Sequence, residues 1–238
     1  MTATTGDASS DLPVVDPATI GVGDATGSDD HDARAESRVA GVLLAAGTGS
    51  RFGDANKLLA TLDDEPIVRH AARTLVDAGL DPLVAVVGYE SERVAAALDG
   101  LAAEFEVVEN DAYREGQATS VRAGVAALAS EVDAAVFALG DMPRVDPASV
   151  RALVDVYRSG EWTALAAAFE GARGNPVLFD RRHFAALADV SGDWGGRRIL
   201  LQGGDSALVE TGDPGVRRDV DTPEDLDALD RDGTDGET

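Results

Sequence analysis

The chain has 238 residues, and its 44 acidic and 20 basic side chains give a formal net charge of -24 at pH 7. Such a surface repels nucleic acid and anionic lipid, which excludes both as general partners. No apolar run approaches the roughly 20 residues that cross a bilayer, residues 1–10 do not resemble a secretory signal, and the absence of cysteine excludes thiolate chemistry. We therefore expect a cytoplasmic protein that binds neither membranes nor nucleic acid.

The folded unit is predicted to run from residue 38 to residue 230. Residues 1–37 are rich in Asp, Gly, Ser, Thr and Ala and carry no periodic apolar pattern, which predicts a disordered acidic tail. Residues 231–238 have a similar composition and predict a flexible C-terminus. What remains is long enough for one large α/β domain.

Short apolar runs alternate with helical patterns through this unit. In chain order, strands are predicted at residues 39–45, 83–87, 105–108, 134–139, 163–169 and 176–179. Helices are predicted between and after them, at residues 66–78, 91–98 (with Ser91 as a cap), 117–129, 146–157, 181–188 and 195–201, with a last one from Thr222-Pro223. The repeated order of strand, helix and strand specifies a three-layer α/β fold, a mostly parallel sheet with helices on both faces.

Ligands bind such sheets beyond the carboxyl ends of the strands. The residues to inspect are therefore those directly after Ala45, Val87, Val108, Leu139 and Val220.

A glycine-rich loop follows the first predicted strand. It reads AAGTGSRFG over residues 45–53 and is followed by NKLL over residues 56–59. Glycines let backbone amides approach an anion closely, and Arg51 and Lys57 add positive charge, a combination that suits a triphosphate. The loop matches neither the dinucleotide fingerprint nor the ATPase loop. An ordinary turn with solvated charges is the alternative interpretation.

Lys57 is the only lysine of the chain. Acid-rich, lysine-poor surfaces suit proteins that stay soluble in concentrated salt, so we interpret the composition as halophilic; a merely acidic mesophilic protein is the alternative. In either case, a composition that avoids lysine but keeps this one indicates a specific role for Lys57.

Two carboxylates occupy positions that suit a metal ion. Asp141 follows the strand predicted at 134–139, and Asp221 precedes the helix that begins at Thr222-Pro223. Mg²⁺ takes one or two carboxylates in addition to waters and phosphate oxygens. The alternatives are that Asp141 stabilises a turn and that Asp221 belongs to a helix cap.

Six segments in order resemble the MobA-like nucleotidyltransferases, most closely their molybdenum-cofactor cytidylyltransferase branch. They are the loop with NKLL, GQATS at 116–120, LGDMP at 139–143, GNPV at 174–177, GDWGGR at 192–197 and DVDTPED at 219–225. The resemblance spans residues 39–229. It implies a Rossmann-like nucleotidyltransferase fold and Mg²⁺-dependent transfer of CMP from CTP to molybdopterin, with release of pyrophosphate.

The resemblance also implies residue roles. The implied nucleotide-binding residues are Ala45, Ala46, Gly47, Gly49, Arg51, Lys57, Gln117 and Ser120. Among these, Lys57 and Arg51 would act in catalysis with Asp141, and Asp141 and Asp221 would bind the metal. Asn175, Asp193 and Arg197 would face the acceptor. Relatives that use GTP have glycine where this chain has Ala46, which favours CTP.

Three alternatives stay open at this point. The same machinery could serve another phosphorylated acceptor, such as a sugar phosphate. A non-catalytic protein could deliver the cofactor to a molybdenum hydroxylase, although intact Lys57 and Asp141 argue against an inert binder. A glycosyltransferase would need an Asp-x-Asp motif, and Asp219-Val220-Asp221 has that spacing, but late in the chain.

Overall fold

The computed structural model describes residues 12–20, 34, 36–53, 55–190 and 196–234. The strands in these residues are β1 (Val14–Val15), β2 (Val39–Ala45), β3 (Thr61–Leu62), β4 (Glu65–Pro66), β5 (Leu83–Val87), β6 (Glu106–Glu109), β7 (Ala134–Leu139), β8 (Ala164–Phe169), β9 (Ala172–Asp180) and β10 (Ser206–Glu210). The α-helices are α1 (Ile67–Asp77), α2 (Ser91–Ala97), α3 (Gln117–Ala127), α4 (Pro147–Arg158), α5 (Phe184–Ala188), α6 (Arg197–Gln202) and α7 (Pro223–Thr234).

Eight strands form one sheet in the order β1-β10-β8-β9-β7-β2-β5-β6. Only β9 runs antiparallel to its neighbours in this sheet, and the other described pairs are parallel. The predicted mostly parallel sheet is therefore confirmed. The short strands β3 and β4 form a separate hairpin before α1.

Helices cover both faces of the sheet, as the sequence predicts. Apolar side chains of α1, α2 and α4 pack into one buried cluster, which includes Leu75, Val94 and Leu153. Those of α3, α5 and α6 pack into a second cluster on the opposite face, with Val121 and Leu187 among them. Alternate residues of the strands contribute to each cluster, which is the two-residue period of a strand buried on both sides.

The N-terminal residues 12–20 pack against the sheet, where the sequence predicted a disordered tail. Val14 pairs with Leu208 of β10, and the Leu208 amide donates to the Pro13 carbonyl at 2.8 Å. Val15 and Ile20 contact the core. Two valines are too short a run to indicate a strand. In addition, β1 forms only by pairing with β10, and the sequence analysis did not predict β10 either.

Several element boundaries differ from the sequence predictions. Helix α7 continues to Thr234, past the predicted end of the folded unit at residue 230. Val220 lies in no strand, because its amide donates instead to the Asp141 carbonyl at 2.9 Å. Ser91 is the first residue of α2 rather than its cap, and its hydroxyl donates to Glu109 at 2.7 Å. None of the described helices combines the length and apolarity that crossing a membrane requires.

Candidate functional site

Three chain segments meet at the carboxyl edge of the sheet. Because β2 and β7 are parallel neighbours, the glycine-rich loop and Asp141 leave the sheet side by side. The Gly140 amide donates to the Leu44 carbonyl at 2.9 Å, which joins the two strand ends. The hydrogen bond from the Val220 amide to the Asp141 carbonyl brings the segment that carries Asp221 to the same edge. The fold therefore brings together residues more than 160 positions apart in sequence.

Four charged side chains form an ion cluster at this edge. The Lys57 Nζ lies 2.7 Å from Asp141 Oδ2 and 3.0 Å from Asp221 Oδ1. Arg51 Nη2 lies 2.8 Å from Asp221 Oδ2. Lys57 is only 8% exposed. The residues predicted for catalysis and for metal binding thus converge on one point, which the sequence could suggest but not demonstrate.

The surroundings of Lys57 keep its ammonium charged. Burial removes water and by itself lowers the pKa of Lys57, but the charge of Asp141 and hydrogen bonds to Asp141 and Asp221 outweigh burial. The net result is a pKa above the ordinary value for lysine. A permanent positive charge at this place can interact with phosphate oxygens.

The local backbone directs the Lys57 side chain towards the carboxylates. Lys57 begins a short 3₁₀ helix, Lys57–Leu59, and the side chain of Asn56 caps it by accepting from the Leu58 amide at 3.1 Å. Gly49 has a φ of +58°, and a Cβ added there would lie 2.8 Å from Lys57 Cγ. The lysine stem therefore passes through space that only glycine leaves open.

A cleft of about 450 Å³ opens beside the ion cluster. Its lining includes these residues predicted from the sequence: Ala46, Gly47, Lys57, Gln117, Ser120 and Asp141. Ala45 is buried against Gly140, and neither Ala45, Gly49 nor Arg51 lines the described part of this cleft. Its volume falls in the range of roughly 300–1,000 Å³ that small-molecule sites occupy.

A second, smaller cleft of about 180 Å³ adjoins the first and shares Leu44, Gln117 and Leu139 with it. Asn175 and Arg197, both predicted to face the acceptor, line this second cleft. Asp193, the third residue of that prediction, lies outside the described residues. The two clefts share a wall, so ligands bound in them would be neighbours.

Ser120 and the start of α3 are held by a residue that the sequence analysis did not name. Asn110 follows β6 and donates from Nδ2 to Thr119 Oγ1 at 2.8 Å and to Ser120 Oγ at 3.0 Å. All three side chains are buried. The signal that could have identified Asn110 was its place directly after a strand end, where the binding edge was expected.

Three further polar residues near the site were also not assigned roles. Tyr113 and Arg114 line the main cleft, with the Arg114 guanidinium 5.1 Å from the centre of the Tyr113 ring. Burial raises the pKa of Asp219, and the charges of Asp221 and Asp141 raise it further. Asp219 therefore interacts electrostatically with the ion cluster. The sequence signal that could have identified it was its position two residues before Asp221.

The two carboxylates fit a hard divalent cation. Asp141 Oδ1 is buried and has no hydrogen-bond partner among the described residues, while Oδ2 of the same group holds Lys57. The part of the chain that the structure describes contains no group of three or more metal-ligating side chains. A bound Mg²⁺ would therefore take Asp141 and Asp221 and complete its shell with water and phosphate oxygens, as this ion usually does.

The sequence of the sheet and loops matches one known family. The family model described as "MobA-like NTP transferase domain" matches residues 41–207. This chain belongs to that family. The match starts in β2, includes the glycine-rich loop, Lys57 and Asp141, and ends in β10, so this MobA-like domain contains most of the site.

Relatives with similar sequence identity to this MobA-like chain carry different functional names. It is 32% identical over 195 residues to nicotine blue oxidoreductase of Paenarthrobacter nicotinovorans, covering 79% of this chain and 94% of the relative. It is 33% identical to the purine catabolism protein PucB of Bacillus subtilis, covering 80% and 95%. A probable molybdenum cofactor guanylyltransferase of Natronomonas pharaonis is 30% identical, covering 78% and 94%.

Solved structures show the same fold. Rv0371c from Mycobacterium tuberculosis superposes with a TM-score of 0.70 at 30% identity, covering 82% of this chain and 98% of that one. The same protein in complex with manganese superposes with a TM-score of 0.66 at 28% identity, covering 82% and 99%. The fold and the nucleotidyltransferase family are thus established, and the substrates need a separate argument.

Proposed function

We propose that this MobA-like protein is a magnesium-dependent enzyme that transfers CMP from CTP to molybdopterin and releases pyrophosphate. The observation that carries the proposal is the convergence of Lys57, Asp141 and Asp221 at the rim of a cleft lined by a glycine-rich loop. The cluster argues against an inert binding protein, because burying a charged lysine costs free energy and contributes little net stability even when the lysine is paired.

The chain's own residues account for the chemistry that such a transfer requires. Backbone amides of the loop after β2 would hold the phosphates, and the Lys57 ammonium would neutralise charge as pyrophosphate leaves. Asp141 and Asp221 would hold Mg²⁺, which when bound neutralises and orients the phosphate oxygens. An oxygen of the acceptor phosphate forms the new bond to the α-phosphorus while the bond to the pyrophosphate oxygen breaks. This needs positioning and charge rather than a covalent nucleophile.

Ala46 supports CTP as the nucleotide. Ala46 is one of the residues that line the main cleft, and a Cβ added at Gly88 would lie 2.9 Å from Ala46 Cβ, so this wall is tightly packed. A methyl group there takes up space that glycine would leave open, which favours a pyrimidine over the larger purine. The relative named a guanylyltransferase makes GTP the nucleotide to compare.

The second cleft supports a ring-bearing anionic acceptor such as molybdopterin. Phe137 and Phe179 contribute an apolar wall, while Asn175, Arg173 and Arg197 contribute polar groups. Arginine suits a phosphate because its planar guanidinium can make two parallel hydrogen bonds. A molybdenum hydroxylase would be the recipient of the finished cofactor. A sugar phosphate is the alternative acceptor, because it also carries a phosphate group.

A pyrophosphate-release assay tests the proposal directly. Each of the four ribonucleoside triphosphates is supplied with Mg²⁺ in high salt, with and without molybdopterin. We expect release only with molybdopterin and fastest with CTP, and loss of release in Lys57→Ala and Asp141→Asn. Release with a sugar phosphate but not with molybdopterin would transfer the proposal to that acceptor. No release with any pair would favour a cofactor-delivery protein.

A further inference from the structure

The two carboxylates that fit a metal ion are already occupied by cationic side chains. Of their four oxygens, Asp141 Oδ2 and Asp221 Oδ1 contact Lys57, and Asp221 Oδ2 contacts Arg51. Only Asp141 Oδ1 has no hydrogen-bond partner among the described residues. A divalent cation bound to both carboxylates would therefore share its ligands with the Lys57 ammonium.

A metal ion and this ammonium cannot share the carboxylates without strong repulsion. Both cations would lie beside the same carboxylates, and like charges so close together near a protein surface repel each other strongly. Lys57 is 8% exposed, so water screens little of this repulsion. This repulsion favours a movement of Lys57 away from the carboxylates when a metal binds.

The direction in which Lys57 can move is set by its packing. Its stem passes close to Gly49, and its side chain lines the main cleft. The main cleft, in which we place the triphosphate, therefore offers the ammonium space to leave Asp141 and Asp221. Phosphate oxygens would there replace the carboxylates as its partners.

We infer that Lys57 competes with the divalent metal for Asp141 and Asp221, and that a triphosphate relieves the competition by taking over the lysine. Metal and nucleotide then bind with positive coupling, and free metal alone binds weakly. By linkage, each ligand raises the affinity of the other by the same factor. The nucleotide part of the inference rests on the proposed function, but the competition for the carboxylates does not.

Manganese titration without nucleotide tests the competition. Affinity for Mn²⁺ is measured by water-proton relaxation in the wild type, Lys57→Met, Lys57→Arg and Arg114→Met. We expect Lys57→Met to bind Mn²⁺ roughly tenfold or more tightly than the wild type, because the competing charge is gone. Lys57→Arg keeps the positive charge, so its affinity for Mn²⁺ should stay as weak as that of the wild type. Arg114→Met removes a cleft cation that does not contact the carboxylates and should change the affinity less than about twofold.

Because Lys57 is the only lysine, a single labelled side chain reports its position in the unmodified protein. Protein grown with lysine carrying ¹³C at Cε should give one signal, which Lys57→Arg removes. In the wild type we expect Mg²⁺ to shift this signal, and the midpoint of the shift should equal the midpoint of metal binding. When inorganic triphosphate is present, the same shift should occur at a lower Mg²⁺ concentration. This measurement decides the question if Lys57→Met does not fold.

The inference is overturned if Lys57→Met binds Mn²⁺ no more tightly than the wild type, or if the lysine signal stays fixed while Mg²⁺ binds. Failure of the proposed function looks different. In that case the metal titrations and the lysine shift behave as expected, but no triphosphate releases pyrophosphate with any acceptor.

Discussion

Lys57 is a charged side chain that is almost completely buried, and two features make this possible. The carboxylates of Asp141 and Asp221 replace the water that it lost. Gly49 leaves the space that the lysine stem needs, and it does so in a backbone conformation that other residues rarely adopt. At the residue scale, the position of the charge therefore depends on a glycine eight positions earlier in the chain.

Replacing Gly49 with alanine should displace Lys57. The new Cβ would lie 2.8 Å from Lys57 Cγ, and the φ of +58° adds strain of roughly 1–2 kcal/mol. We expect Gly49→Ala to lower the free energy of unfolding by at least that amount in urea titrations. Gly47→Ala is the matched control, because a Cβ at Gly47 meets no atom within 4 Å. Equal stability of the two variants would contradict this account of Gly49.

Replacing Ala46 with glycine should change the choice of nucleotide. Removing the methyl group enlarges the cleft by about one carbon atom. A change of this size typically alters the ratio of kcat/KM between substrates of different size by roughly 10- to 200-fold. We expect the ratio of kcat/KM for CTP to that for GTP to fall at least tenfold in Ala46→Gly. The ratio is measured by pyrophosphate release at equal protein concentration. An unchanged ratio would remove Ala46 from the choice of base.

Much of the site was predictable because strand ends are predictable. The glycine-rich loop and Asp141 follow long apolar runs, and a single lysine in an arginine-rich chain is conspicuous. The contact of Asp221 with Lys57 was not predictable in this way, because it depends on the hydrogen bond between Val220 and Asp141 rather than on a strand. Arg114 gave no signal, since nothing local distinguishes it from a solvated arginine.

At the scale of elements, the direction of β9 was the main feature that the sequence did not reveal. Strands β8 and β9 are joined by Glu170 and Gly171, both with positive φ, which is the two-residue turn of an antiparallel hairpin. Glu-Gly is a weaker hairpin signal than Asn-Gly or Asp-Gly, so the pattern predicted a strand without its direction. Strand β10 is five residues long and was not predicted, because its short apolar run Ala207–Val209 gives only a weak strand signal.

A buried tyrosine links α4 to the end of β9. The Tyr157 hydroxyl donates to Asp180 Oδ2 at 3.1 Å, and Tyr157 is 2% exposed. Burial, reinforced by the negative charge of Asp180, raises the pKa of Tyr157 to about 12. The neutral phenol is thus favoured in the folded protein over the unfolded chain, whose tyrosine titrates near its ordinary value of about 10.

This link predicts a loss of stability at alkaline pH. Between pH 10 and about 12 the folded protein keeps the Tyr157 proton while the unfolded chain releases it, so stability falls as pH rises. Two pKa units correspond to roughly 2–3 kcal/mol. We expect Tyr157→Phe to be less stable at pH 8, because a hydrogen bond is lost, but to lose less stability between pH 9 and 11. Urea midpoints of both proteins across this range measure the difference, and parallel curves would contradict the assignment.

At the scale of the whole molecule, the N-terminal residues change the edge of the sheet. Without residues 12–20, the backbone of β10 would be an open edge beside Ala164–Phe169 of β8. Open edges promote pairing between molecules, which proteins avoid by covering them. The short β1 covers this edge with backbone hydrogen bonds and with the apolar contacts of Val15 and Ile20.

Removing residues 1–20 should therefore lower the melting temperature, whereas removing a disordered tail would leave it unchanged. The lost pairing and contacts should cost roughly 1–2 kcal/mol, or about 2–8 °C for a domain of this size. Removal of residues 1–11 alone leaves β1 intact and is the matched control. Thermal unfolding at a fixed salt concentration measures both variants. Identical melting temperatures for the two truncations would mean that β1 adds nothing to stability.

The hydrogen bond from Val220 to Asp141 attaches a segment that is synthesised after the whole sheet, which has a consequence for the order of folding. A ribosome adds residues in order, so every strand of the sheet is complete before Asp221 leaves the exit tunnel. In a nascent chain that ends before this point, the contacts of Asp221 with Lys57 and Arg51 cannot form. All the strands of the sheet are thus available to the growing protein before the segment that carries Asp221 can join the ion cluster.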